Sequence, residues 1–522
     1  MKLTHFILLA VSVLLSACQT TSQPQNPQLL SQTHGLLFVH FPRLMPRLTV
    51  RSVKGNDSYS LETDGLNKTA RLWLPPGEYV LDYAGFGVGG TKLNGYPHIQ
   101  INTGQMTSLG GLINFGVGEG QSIWLAKSFD QTETLANDQL KQYANLFKTE
   151  QVIRWAPDFV PRITDMQRRS SGQGLIVDWL TQYSDSQAQG QLNKALRDTK
   201  DIDTFYALAV KSLPPFARQA PAVDDEKSLY YGADLGQIKK RTTDGVWTTL
   251  DTGALQAIAK VYWFNGKLIA AGYTKTLYIS EDKGQSFKVL KTFLPAEIIV
   301  DIDSSNDHLY VLTTRAAEPA TPSTSTLKFE VIVYKGAATA LENLAAIKSI
   351  PHAGVTLRDP KAELVNNRYY VGLEPKQLKF MNIDDEQWFD IPTPQKFTTF
   401  NVSDNEVITL FNIQGAFSDL FISTDRGQHW QELNTPSYVI EDIFFNTTTE
   451  AISHRTEPNA FTVSFFVQKY LAGADKWQNI TKAPDECKYM VENEFRLATF
   501  CVTKSDTILS FKNSQWVKEK YK

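Results

Sequence analysis

Two nine-residue stretches of this 522-residue chain carry the same candidate chemistry, ISEDKGQSF at 279–287 and ISTDRGQHW at 422–430. Each sets a hydroxyl (Ser280, Ser423), a carboxylate (Asp282, Asp425), a glycine (Gly284, Gly427) and an aromatic ring (Phe287, Trp430) in the same step. A carboxylate beside a hydroxyl can move a proton, so a duplicated catalytic centre is one reading. The same residues also build turns. A short carboxylate or hydroxyl accepts backbone N–H bonds, glycine supplies a left-handed backbone, and the ring fills the gap between adjacent sheets. TTDGVW at 242–247 and NIDDEQW at 382–388 are eroded copies.

Other constellations are sparse. Glu441-Asp442 and Asp384-Asp385 are neighbouring carboxylates. Adjacent strand residues point to opposite faces, whereas paired-carboxylate hydrolysis needs two acids facing each other across a sugar. Residues 85–90, GFGVGG, match G-x-G-x-x-G in form. A dinucleotide site needs a helix next, and here TKLNGYPHIQIN follows with glycine, proline and a strand. Eight histidines show no H-E-x-x-H or clustered ligand spacing, and there is no G-x-S-x-G elbow. Bases and acids number 52 and 55, too even for a nucleic-acid-binding field. The sequence thus names no catalytic residue, metal, cofactor or nucleic-acid partner.

The chain opens MKLTHFILLAVSVLLSACQTT, with Lys2, an apolar run from Phe6 to Leu15, and Ser16-Ala17 before Cys18. That run is too short to span a bilayer, which needs about 20 residues, so residues 1–17 read as a cleaved export signal. Leu15-Ser16-Ala17-Cys18 resembles the lipobox of bacterial lipoproteins, which implies acylation of Cys18. Gln19, where an aspartate would imply inner-membrane retention, resembles the outer-membrane class. The implied protein is held on the bacterial outer membrane by its lipid, since two or three acyl chains anchor stably where one is marginal. Its body would face the periplasm or the surface.

The elements that must position any site change character along the chain. Residues 18–34 are polar, with two prolines and no hydrophobic period, and read as a flexible tether. Residues 35–128 hold short β runs (LLFVHF, LTVRSV, ARLWL, EYVLDYA, HIQIN, SIWLA) between Gly/Pro/Asn turns, the pattern of a β-sandwich. Leu74-Pro-Pro-Gly-Glu-Tyr79 resembles the hairpin of PEGA-type or prealbumin-like sandwiches, modules that act as spacers or binding units. Residues 129–220 read as a helical module, with Leu135, Leu140, Tyr143 and Phe147 at near-helical intervals and GLIVDWLTQY continuing the pattern. Its apolar faces should pack on one another or on the neighbouring domains.

Residues 221–522 are organised by recurrence. Hairpin-turn pairs stand at Asp225-Glu226, Asn265-Gly266, Asn306-Asp307, Asn366-Asn367, Asp404-Asn405, Asn446-Thr447 and Asn493-Glu494. Asn, Asp and Gly tolerate the positive φ that tight hairpins demand. A second marker, an aromatic opening a short strand, recurs at Trp247, Phe287, Trp388, Trp430, Trp477 and Trp516. The long interval between Phe287 and Trp388 holds a degenerate unit around VIVYKG, after the insertion RAAEPATPSTSTL. Both markers count seven units with room for four strands each, the size of propeller blades. The expected fold is mainly β: an N-terminal β-sandwich, an intervening helical module and a C-terminal seven-bladed β-propeller.

The nonapeptides fall just before the last strand of two units. There they resemble the Asp-box, S-x-D-x-G-x-x-W/F, of sialidases and other bacterial propellers, with Ser280, Asp282, Gly284, Phe287, Ser423, Asp425, Gly427 and Trp430 at the motif positions. The resemblance implies a structural hairpin on the outer part of a blade, away from the channel where catalysis would occur. Sialidases also carry an Arg-Ile-Pro segment, and none occurs here; Arg43 and Arg47 of FPRLMPRL precede the propeller. The expected function is a lipid-anchored envelope protein using its propeller as a non-catalytic binding or assembly scaffold for a protein or glycan. The alternative is a glycan-active hydrolase with a diverged active site. A deep channel pocket with converging Glu, Asp and Arg favours the hydrolase, and an aromatic-rich face the scaffold.

With Cys18 acylated, Cys487 and Cys501 remain as a pair in an oxidising setting. Their midpoint is residue 494, inside the Asn493-Glu494 turn. They should therefore lie directly opposite on neighbouring strands and form a disulfide.

Overall fold

The computed structural model describes residues 27–521 apart from 44, 56, 66–67, 87–88, 94–95, 117–120, 148–151, 156–161, 168–190, 217–219, 295, 318–326, 355–357, 359, 374–376, 413–417, 437–438, 459–462, 494 and 504–506. The lipobox around Cys18 and the GLIVDWLTQY segment lie outside the described residues. Among the described residues no helix is long and apolar enough to cross a membrane.

Twelve strands between residues 35 and 167 form one hydrogen-bonded array. Gly35–His40, buried throughout, runs antiparallel to Thr69–Leu74 and parallel to Met106–Gly116. The turn at Leu74-Pro-Pro-Gly does not close the hairpin that its resemblance implied. Thr69–Leu74 pairs with Gly35–His40 and Glu62–Asp64, while Gly77–Phe86 pairs with Arg47–Ser52, Gly89–Lys92 and Ile99–Ile101. Two prolines without N–H groups suit a crossover better than a ladder.

The segment expected to be helical is mixed. Asp130–Gln142, Gln191–Asp198 and Ile202–Lys211 are helices, but Val152–Arg154 and Arg162–Gln167 are strands that join the N-terminal array. Ala136 and Leu140 bury against Leu36, Phe38 and Met106, with Leu135, Tyr143 and Phe147 packed beside them. Tyr143 meets the Trp73 ring edge-on and Phe147 stacks on it. Ile202–Lys211 is capped by Asp201, whose carboxylate accepts the Thr204 N–H at 2.7 Å, and it buries Phe205, Ala209 and Val210 in the core of the array. That core also takes in Leu235 of the C-terminal region.

Beyond residue 221, seven antiparallel sheets follow one another among the described residues, at 222–251, 258–292, 297–354, 361–391, 399–433, 439–482 and 487–518. Each is a meander of four strands in chain order, and the first gains a fifth, Lys520–Tyr521. All seven sequence-read turns join the first strand of a sheet to its second, with Glu494 outside the described residues. Positive φ values of 48° and 76° at Asn265-Gly266, and of 47° and 58° at Asn366-Asn367, show why those residues stand there. The six aromatic markers open, immediately precede or lie one residue inside fourth strands, and VIVYKG is the third strand of the sheet that lacks one.

Residues at or beside the turns also link the third, fourth and fifth sheets each to the one that follows. Ser305 Oγ donates to Asn367 Oδ1 at 3.0 Å, Asn366 Nδ2 to the Asp404 carbonyl at 2.9 Å, and Asn405 Nδ2 to the Asn446 carbonyl at 3.0 Å. On the fourth strands, indole N–H groups of Trp430, Trp477 and Trp516 donate to the carbonyls of Pro392, Asn434 and Lys482 in the preceding sheet.

The last sheet meets the first at one buried carboxylate. Glu519 accepts from Arg241 (2.9 and 3.1 Å) and Trp247 Nε1 (3.2 Å) of the first sheet, and from Ser510 Oγ (2.5 Å) and Lys512 Nζ (2.7 Å) of the seventh. Lys520–Tyr521 then pairs in parallel with Val246–Trp247. Tyr231 donates to the Glu492 carbonyl at 2.7 Å, and Trp247 meets Phe500 edge-on. The seven sheets form a closed circuit.

Cys487 and Cys501 are bonded, with Cα atoms 5.6 Å apart. They are not directly opposed as the turn midpoint suggested: Cys487 faces Thr503 and Cys501 faces Met490. Irregularities after Cys487 and after Val491 shift the register, so the bond runs diagonally between the strands.

Glu519→Ala would leave the Arg241 guanidinium buried without its partner, a loss worth about 3–5 kcal/mol. Thermal or denaturant melts of the variant should show this destabilisation.

Candidate functional site

The first strands of the second to seventh sheets line a central cavity of about 1290 Å³. At one end it is bounded by Arg43 and Lys68 of the N-terminal array together with Asp234, Tyr273 and Arg358. Arg43 pairs with Asp234 at 3.1 Å and donates to the Asn114 carbonyl at 2.8 Å, tying the array to the sheets. Lys68 and the Arg358 guanidinium lie 4.6 and 3.5 Å from the Tyr273 ring centroid. At the other end the first-strand turns form the mouth, where Asp404, Asn446, Glu450 and Phe495 line the cavity. Phe495 is 69% exposed, the most exposed large hydrophobic side chain among the described residues. Arg496 beside it lies over the Phe444 ring at 4.8 Å.

A mixed charge cluster sits between these ends. Lys260 pairs with Asp301. Glu363 holds Lys361 and Arg496, each at 3.1 Å, and accepts the Val402 N–H. Burial alone would push the Glu363 carboxyl up, but the Arg496 and Lys361 cations and the Val402 N–H hold it below the usual range. Glu363 in turn raises the Arg496 guanidinium further.

Asp303 differs from its neighbours. Its side chain is partly exposed and lines the cavity, yet Oδ2 is buried and has no hydrogen-bond partner. Burial pushes this carboxyl up to about 6, against the pull of Lys260 and with the push of Glu363.

The nonapeptides lie elsewhere. None of their eight motif residues lines the cavity. Each spans the connection between third and fourth strands, in the second and fifth sheets. Ser280 Oγ accepts the Gly284 N–H at 2.7 Å and donates to Asp282 Oδ1 at 2.7 Å, while Asp282 also takes the Ser286 N–H and hydroxyl. Ser423, Asp425, Gly427 and His429 repeat the pattern. Both aspartates are held below the ordinary carboxylate range, Asp282 by the hydroxyls of Ser286 and Ser280 and Asp425 by the N–H and ring of His429. All of these bonds lie within the turn itself. Gly284 and Gly427 have φ of 93° and 80°, and an added Cβ would lie 2.4 Å from Leu250 and 2.1 Å from Ile391 of the preceding sheets. Phe287 packs beside Leu250, and Trp430 packs in the core that contains Ile391.

Other sequence candidates separate as follows. Asp442 lines the cavity and accepts from Asn401 Nδ2 at 3.3 Å, while the side chain of Glu441 lies outside the described residues. Asp384 and Asp385 are exposed, and Asp385 caps its own turn at the Gln387 N–H. The glycine run at 85–90 joins two paired strands, with Phe86 opposite Gly89. Arg47 is exposed and reaches Ser60, but Arg43 is brought to the cavity by folding, although it is distant in sequence. Among the described residues no cluster of His, Cys, Asp or Glu could hold a metal ion.

The cavity charges escaped the reading of motifs. A signal for them does exist. Lys260, Asp301 and Lys361 stand five residues before the turns at Asn265, Asn306 and Asn366, and Asp303, Glu363 and Asn401 three before Asn306, Asn366 and Asp404.

No family model matches the chain, and no curated protein matches it. Among solved structures the chain is similar to an oligogalacturonate lyase in complex with manganese, at 9% identity over 59% of this chain and 89% of that one, with a TM-score of 0.40. It is similar to BamB from Moraxella catarrhalis at 10% identity over 57% and 81%, with a TM-score of 0.34. It is also similar to YCF48 bound to D1 peptide, at 12% identity over 45% and 74%, with a TM-score of 0.31.

A carboxyl raised by burial contributes stability below its unfolded value near 4 and loses it as pH rises through about 6. Asp303→Asn should therefore stabilise the protein at pH 7.5, by about 1–3 kcal/mol, and change little at pH 3.5. Melts at the two pH values check the sign.

Proposed function

We propose that this chain is a lipid-anchored bacterial envelope protein that works as a non-catalytic binding or assembly scaffold for a protein or glycan. In this reading the seven sheets are the blades of a seven-bladed β-propeller, and the nonapeptides are Asp-boxes. The N-terminal array is a PEGA- or prealbumin-like sandwich, and Cys18 carries the lipid on the outer membrane.

The observation that carries the reading is Phe495. An aromatic side chain 69% exposed at the cavity mouth, among the polar turns of Asp404, Asn446 and Glu450, has the composition of a docking anchor inside a polar rim. The opposite end is occupied by Arg43 and Lys68 of the N-terminal array, so the turn-side mouth is the face left to a partner.

One observation favours the hydrolase alternative. Asp303, pushed up to about 6, lies in the same cavity as Glu363, which is held down, and acid–base catalysis uses such a split. Glu363, however, is committed to two cations and a backbone N–H, which leaves it poorly placed to attack or to take a proton.

Affinity capture from detergent-solubilised envelopes, with mass spectrometry, should retain a partner on the wild type and lose it on Phe495→Ala at unchanged melting temperature. Glycan cleavage abolished by Asp303→Asn would replace the scaffold with the hydrolase. For the anchor, Cys18→Ser should accumulate as unprocessed precursor and take up no clickable fatty acid; labelling equal to wild type would remove the lipid from the reading.

A further inference from the structure

Phe495 stands on a turn that is pinned at several points. Asn493 Oδ1 accepts the N–H groups of Phe495 and Leu497 at 2.9 and 3.0 Å, and the Asn493 N–H donates to the Leu497 carbonyl at 2.8 Å. Arg496, in the left-handed region at φ 57°, sends its guanidinium inward to Glu363 Oε1 and Asn401 Oδ1, each at 3.1 Å. The exit of the turn is held from the neighbouring sheet. Ala498, buried at 2% exposure, donates its N–H to His454 Nε2 at 3.1 Å. His454 lies on Ala451–Pro458, the second strand of the sixth sheet, so this bond fastens the Phe495 turn of the seventh sheet to its neighbour.

The His454 bond differs from the others in what its acceptor can do. An imidazole nitrogen accepts an N–H only while unprotonated, so Nε2 carries the lone pair and the ring proton sits on Nδ1, 3.7 Å from Glu492 Oε1. Protonation at Nε2 would set two N–H groups head to head, and buried Ala498 would lose its acceptor. The other acceptors named here do not take up a proton between pH 5 and 8: they are amide and backbone oxygens, and the Glu363 carboxyl, which is held below its usual range. The surroundings admit an imidazolium. Asp442 stands opposite His454 on the first strand of its sheet, and Glu492 lies beside it on the seventh. Against them are Arg455, next along its own strand, and Arg496, which both carboxylates stabilise. Val467, opposite on the third strand, carries no charge. Charge therefore does not bar the proton; the bond to Ala498 does.

We propose that His454 is a pH-sensitive latch on the Phe495 turn, holding the docking aromatic in place near neutral pH and releasing it in acid. The inference rests on the reading of Phe495 as the docking anchor and adds its regulation. The pinned turn binds one proton fewer at Nε2 than the released turn, so its share falls as pH drops below the ordinary imidazole value of about 6.5. A partner seated on Phe495 near neutrality would be shed where its surroundings acidify, because an anchor that must first be re-ordered binds less tightly.

Hydrogen–deuterium exchange of the full folded chain tests the latch. It is read by mass spectrometry on peptides spanning residues 493–500, at pH 7.5 and 5.5, and corrected for the chemical exchange rate. Protection there should fall about tenfold between the two pH values, while peptides covering Ile508–Lys512 in the same sheet keep theirs. His454→Gln, whose amide oxygen accepts an N–H at either pH, should keep the protection at both. His454→Leu should lack it at both. Equal protection of the wild type at the two pH values would overturn the proposal, as would a His454→Gln variant that loses as much as the wild type. Capture experiments at the two pH values separate the latch from the docking reading. Phe495-dependent capture of equal strength at both leaves the scaffold and removes the latch. The expected exchange behaviour with no Phe495-dependent partner leaves the latch and removes the scaffold.

Discussion

The carboxylate of Glu519 is the constraint on which the circuit of sheets depends. Nearly inaccessible to solvent, it gathers Arg241 and Trp247 from the first sheet and Ser510 and Lys512 from the seventh. Desolvating it is costly, and four donors from two sheets offset that cost only while both sheets are in place. Gly245 shows how tight the joint is, since a Cβ there would come within 3.0 Å of the same carboxylate. With the circuit closed, first strands that are remote in sequence are fixed around one axis. The cavity charges owe their spacing to that closure more than to any contact among themselves.

Repetition was legible because two local demands recur among the units, although among the described residues positive φ falls on the turn pair itself only at Asn265-Gly266, Asn306 and Asn366-Asn367, and the third sheet lacks the ring. A tight hairpin needs positive φ, which puts Asn or Gly at the turn, and a gap between neighbouring sheets needs a ring, which puts Trp or Phe near the fourth strand. Asn366-Asn367 and Trp430 satisfy those demands visibly in the sequence. Their second role, the hydrogen bonds of Asn366 to the following sheet and of Trp430 to the preceding one, is a property of the assembled circuit and has no sequence period of its own.

What escaped was nonlocal or irregular. Arg43 reaches the cavity because the N-terminal array packs against Asp234, far along the chain. The cysteine register slipped where the strand bulges after Cys487, a local insertion that symmetry about a turn cannot register. Val152–Arg154 is three residues long and follows a strong helical period, so its membership of the N-terminal array depends on pairing with Met106–Gly116. The charges at Asp301, Asp303, Lys361 and Glu363 did recur at fixed offsets from the turns, but alternation of charged and apolar residues also describes any strand with one wet face.

The closing strand Lys520–Tyr521 and its neighbour Glu519 come after all seven sheets in chain order, yet they complete the first. A chain delivered N-terminus first therefore exposes the outer edge of its first sheet, with Arg241 lacking its counter-ion, throughout the delivery of everything between. The contact has a very large sequence separation, so its loop-closure cost falls at the end of assembly. A product truncated before Glu519 would keep that edge open as a template for another strand. The joint thus seals the first sheet only after Glu519 and Lys520–Tyr521 have been delivered.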